Sequence, residues 1–121
     1  MTHLSPGVPT GDPGFCSTVC FGIRGEPARI STRWQIARFN DGTCTLLETQ
    51  DHPLAWRPED EFEDRTVLAG FATREKWQQA HADGMIPALD ADLIQLSGDV
   101  PAFIRHMSTG LMLIEEFAGT C

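Results

Sequence analysis

The chain has no apolar run approaching the roughly 18 residues that a membrane-spanning helix needs. Its opening stretch, MTHLSPGVPTGDPG, has neither the basic start nor the apolar segment of a secretory signal. Both absences lead to the expectation of a cytoplasmic protein that does not enter membranes. Positive charge is also scarce: 9 Lys and Arg stand against 17 Asp and Glu, a formal net charge of −8. Such a surplus repels nucleic-acid phosphates and anionic lipid, so direct partners of those kinds are not expected and a protein with a basic surface is. No phosphate-cradling glycine loop, no H-E-x-x-H and no nucleophile signature occurs, so neither a cofactor nor a catalytic residue is assigned.

What is present suits one globule. Hydrophobic residues make up 41% of 121 positions and charged residues 21%, enough apolar content for a single core and too little length for a second full domain. Residues 1–14 carry three prolines and three glycines and read as a flexible or surface-hugging N-terminal arm, leaving 15–121 as the domain. FCSTVCFGI reads as a buried strand, and Asp41-Gly42 between two β-rich runs supplies the turn of an antiparallel hairpin. QDHPLAWRPEDEFEDR, with its prolines and clustered acids, reads as a loop. TVLAGFA reads as a strand leading to a helix capped by Thr73, DLIQLS as a strand leading to a helix capped by Asp99, and LMLIEEF, after Gly110, as a closing strand. The expected fold is α/β (α+β). It is a mixed sheet with an N-terminal antiparallel hairpin and a C-terminal β-α-β-α-β unit, with two helices packed on the sheet.

Two stretches in the second half, LAGFATREKW and STGLMLIEEF, resemble the N-terminal domain of the SseB family (enhanced serine sensitivity), small cytoplasmic bacterial proteins. The first is similar to that family's strand ending in Phe-Thr-Ser before a Glu-containing helix, and the second to its closing Gly-Leu strand. The chain departs from the family at Ala72, between Phe71 and Thr73, and at Glu115-Glu116, where the family tends to have Asn-Pro. The resemblance implies an α/β fold without an established catalytic centre or cofactor, and it carries over no functional residue.

Three candidate features remain. Cys16 and Cys20 are four residues apart, which on a strand puts both thiols on one side about 13 Å apart, too far to share a metal. They are therefore expected to be packing residues, and only a helix there would reopen a thiol- or metal-dependent enzyme, with His3, His52, Cys44 or Cys121 completing the ligand set. His52, His81 and His106 form no recognisable arrangement. The third feature is the acidic, aromatic-containing segment with Trp56, Glu59, Asp60, Glu61, Phe62, Glu63 and Asp64, in which apolar anchors alternate with negative charge. It supports a small acidic, non-enzymatic protein-binding module of bacterial or phage type, in the manner of an inhibitor, immunity or antitoxin-like protein. A homodimer formed through a strand edge is a further expectation.

Overall fold

The computed structural model describes Gly7, residues 9–62 and residues 66–121. The chain runs β1 (Ser17–Arg24), β2 (Ser31–Asn40), β3 (Thr43–Pro53), α1 (Pro58–Glu61), β4 (Val67–Thr73), α2 (Arg74–Asp83), α3 (Met85–Asp90), β5 (Gln95–Gly98), α4 (Val100–Arg105) and α5 (Met107–Gly119). The five strands form one mixed sheet in the order β3-β2-β1-β4-β5. β1 and β4 pair in parallel, and the other neighbours are antiparallel. The α/β expectation holds. The hairpin turn is where the sequence puts it: Asp41 and Gly42 take φ of 50° and 79°, as a tight turn matching strand twist requires.

The alternation of side chains along the strands splits the interior in two. Val19, Phe21, Ile23, Ala37, Phe39 and Leu68 face α2, α3, α4 and α5 and form the larger core with Trp77, Leu113, Ile114 and Phe117. Cys20, Trp34, Ile36, Ala69 and Phe71 point to the opposite face, where half-buried Trp56 and Phe62 from the α1 region cover them. Both expected helix caps are in place: Thr73 Oγ1 accepts from the Lys76 N–H at 3.4 Å, and Asp99 Oδ1 from the Ala102 N–H at 3.0 Å.

Several expectations are corrected. The closing strand LMLIEEF lies within helix α5, so the C-terminal β-α-β-α-β unit lacks its last strand, and among the described residues the sheet carries five helices rather than two. A continuous apolar run satisfies a buried strand and a buried helix alike. Here Gly110, Leu113, Ile114 and Phe117 fall at i, i+3, i+4 and i+7 and are all buried, the stripe of a helix lying on a sheet. Gly110 is inside the helix rather than at its end. β4 and β5 run antiparallel because the connection holds two helices, α2 ending at Gly84 (φ 98°) and α3 following it, in place of a single crossover helix. The acidic loop is partly regular too, since β3 continues to Pro53 and residues Pro58–Glu61 make one helical turn.

Of the N-terminal arm, residues 1–6 and 8, including His3, lie outside the described residues. The described part follows the hairpin: the Gly7 N–H donates to Cys44 O at 2.7 Å, the Thr10 N–H to Gly42 O at 2.7 Å, and the Gly42 N–H to Phe15 O at 2.8 Å. Among the described residues no helix is long and apolar enough to cross a membrane.

Candidate functional site

An apolar cleft opens between the sheet and the α4–α5 pair. Val19, Phe21 and Leu68 form its floor, Phe103 and Val100 of α4 and Leu113 and Ile114 of α5 its roof, and Leu96 and Ser97 of β5 its mouth. Its volume is about 40 Å3. That exceeds the roughly 10–15 Å3 a water needs and falls well below the roughly 300–1,000 Å3 of drug-sized sites. The roof depends on Gly110: a Cβ there would lie 2.6 Å from Cε2 of Phe103, so only glycine lets that ring lie against α5. At the mouth Val100 is 51% exposed and, one turn on, Ile104 is 60% exposed.

Ser97 reaches this lining by its backbone: it pairs with Ala69, whose side chain belongs to the opposite face, while its neighbour Leu96 turns into the cleft beside Phe21. Its Oγ lies on the α1 side, buried and, among the described residues, without a hydrogen-bond partner. The side chains that face the cleft are therefore all apolar, as most of the lining of a small-molecule site is.

The acidic segment is arranged differently from the alternation its sequence suggests. Trp56 stacks on His52, with centroids 3.7 Å apart and planes 6° from parallel, and meets Trp34 edge-on at 5.7 Å. With Phe62 it closes the smaller core, so both aromatic anchors are already engaged within the chain. Glu59 is half-buried, with Oε1 shielded and unpartnered. Asp60 and Glu61 are exposed, while Glu63 and Asp64 lie outside the described residues.

The two cysteines occupy unlike surroundings. Cys20 is fully buried on the Trp34 face, and burial, with added repulsion from Glu59 and Glu61, pushes its thiol pKa up to about 12. It stays protonated at neutral pH and is a poor nucleophile or ligand. Cys16 is exposed next to the hairpin, where its sulfur accepts from the Asp41 N–H at 3.2 Å. Among the described residues no three His, Cys, Asp or Glu side chains gather as a metal-binding set.

The described histidines have structural partners. His81 Nδ1 lies 2.8 Å from Glu115 Oε1, joining α2 to α5, and His52 Nε2 lies 2.8 Å from Gln50 Oε1. His106 Nδ1 and Thr109 Oγ1 both bond Asp12 Oδ2, at 2.7 and 2.9 Å, fastening the N-terminal segment to the α4–α5 corner. Those two hydrogen bonds hold the Asp12 carboxyl below its ordinary value. Sequence reasoning missed the cleft because half its roof lies in LMLIEEF, read as a strand; the helical spacing of Gly110, Leu113, Ile114 and Phe117 was the signal that could have revealed it.

No protein-family model and no curated protein matches the chain. Among solved structures it is similar to the solution structure of the conserved hypothetical protein TT1886 from Thermus thermophilus, described as "possibly sterol carrier protein". The TM-score is 0.57 and the identity 13%, over 88% of this chain and 73% of that one. At that identity the likeness concerns the fold alone, a mixed sheet with helices laid on it.

Proposed function

We propose that this chain is a non-catalytic binding protein that takes the apolar end of a small amphiphile into the cleft between the sheet and α4–α5. The observation that carries the reading is the lining: every side chain that faces the cleft is hydrocarbon, and its mouth opens beside the exposed Val100. The walls hold no charged side chain, which favours an uncharged alkyl segment whose polar end stays in water at the mouth. Exposed Val100 and Ile104 make the mouth apolar, and a similar fold in a protein described as "possibly sterol carrier protein" agrees with this direction. The cleft has room for a short alkyl segment rather than a whole sterol.

Titration with 1-hexanol, followed by amide NMR, tests the reading. Saturable shifts are expected at Leu96, Phe103 and Gly110, and Val100→Ser, which makes the mouth polar, is expected to weaken binding about two- to tenfold, the worth of about one buried methylene. Shifts that fail to saturate, or that spread evenly over the surface, refute it.

A second reading, a protein module that presents negative charge, is favoured by one observation: Asp60 and Glu61 stand exposed side by side on α1. On that reading a D60N/E61Q variant loses capture of a basic partner from the source cell, most clearly at low salt. Capture that is undiminished in the variant removes it.

A further inference from the structure

On the sheet face opposite the cleft, Arg24, Arg57, Thr32, Trp34, Trp56 and Phe71 surround a small pocket. The guanidinium carbons of Arg24 and Arg57 lie 5.4 and 5.3 Å from the centroid of the same Phe71 ring. Two like charges are thus held against one aromatic side chain, and among the described residues neither arginine takes part in an ion pair. Arg33 and Arg74, by contrast, are matched by Asp51 and Glu26.

Trp34 adds an uncommitted donor. It is 3% exposed, and its Nε1 is buried without a hydrogen-bond partner among the described residues. Its benzo edge lies over Gly22, with Cε3 and Cζ3 each 3.0 Å from where a Cβ of that glycine would be, so its N–H edge is turned away from β1. The Thr32 hydroxyl, in a residue also 3% exposed, completes a lining rich in donors.

We infer that this pocket binds the carboxylate of a small organic acid, held between the Arg24 and Arg57 guanidiniums beside Trp34. Guanidinium forks match the two oxygens of a carboxylate, and charge-assisted hydrogen bonds are the strong ones. The free volume, about 20 Å3, is little more than one water-sized sphere, which suits a planar two-oxygen group better than a tetrahedral phosphate. Leu54, 38% exposed at the pocket's edge, offers an apolar contact to the rest of the acid. The site is separate from the α4–α5 cleft and does not depend on what occupies it.

Propionate titrated at constant ionic strength, read by the indole N–H signals in NMR, tests the inference. The Trp34 signal should shift and saturate, while Trp77, on the other face of the sheet, serves as internal control. Neutral propionamide should leave both signals in place. Arg57→Gln and Arg24→Gln should each weaken propionate binding about tenfold or more, the effect of losing one charged hydrogen-bond partner. The assignment is overturned by absence of a saturable Trp34 shift, by an equal response to propionamide, by unchanged affinity in Arg57→Gln, or by phosphate binding more tightly than propionate. If Glu59 or Glu61 neutralises the arginines in solution, the first of these results appears.

Discussion

The two faces of the sheet each bury a tryptophan, and they treat it differently. On the helix-covered face Trp77 is fully buried and its Nε1 donates to Gly22 O at 2.8 Å, with Phe21 and Phe117 packed edge-on around it. On the other face Trp34 is nearly as buried, yet among the described residues its N–H has no partner, nor have Thr18 Oγ1, Arg38 Nε, Glu59 Oε1 and Ser97 Oγ. Long helices can bring a polar edge to a strand carbonyl and still fill the space around it. A single helical turn and two loop aromatics exclude water without supplying partners. Gly22 serves both faces at once: its carbonyl receives Trp77, and its missing side chain makes room for Trp34.

Replacing that glycine is the severest way to disturb the contrast. In Gly22→Ala the new Cβ would lie 2.8 Å from Thr32 Cγ2 and 3.0 Å from the Trp34 ring. Overpacking of this kind is expected to cost about 1–3 kcal/mol, read as a lower urea midpoint. An unchanged midpoint would mean that Trp34 has room to shift and that its face is loosely packed.

A pair of matched variants sharpens the comparison with a smaller effect. Trp77→Phe removes a satisfied hydrogen bond and Trp34→Phe an unsatisfied donor, so the former is expected to be more destabilising by about 1 kcal/mol in the same unfolding measurement. Equal losses would show that the Trp34 N–H has a partner after all.

The smallest effect concerns pH at the tether beneath the helical layer. Asp12 has a folded pKa below its ordinary value of 3.8, chiefly through the hydrogen bond from His106 and then that from Thr109. Between the two values the unfolded chain binds more protons than the folded one, so stability rises with pH there. The contribution is fully present above 3.8 and is lost as pH falls through the lowered folded value. Asp12→Asn should flatten this acid limb of the stability curve, and an unaltered limb would show that the pair is too solvated to matter.

Local chemistry was readable from the sequence. Asp41-Gly42 needs only its neighbours to turn, and Thr73 and Asp99 need only the next three residues to cap. What was hidden depends on residues far apart in the chain. LMLIEEF is a helix because a sheet face requires a ridge at that place, and β5 runs against β4 because two helices intervene. Arg24 and Arg57 come together only at Phe71, and the cleft exists only once α4 and α5 fold over Phe21 and Leu68. The acidic run was visible, but the inward turn of Trp56 and Phe62 was not, since alternating charge and aromatic residues look the same whether the rings face the sheet or the solvent.

The strand order carries a consequence for how the molecule is made. β1 is the first strand in the chain but the middle strand of the sheet, flanked by β2, which follows directly, and by β4, which comes only after β3 and α1. The β1–β2–β3 meander can form from neighbouring segments, whereas the parallel β1–β4 pairing must first close a long loop and is the slower event. Until it happens, one edge of β1 and the apolar Val19, Phe21 and Ile23 stay uncovered. During synthesis that edge is where mispairing with another chain would begin, and the arrival of β4 sets how long the exposure lasts.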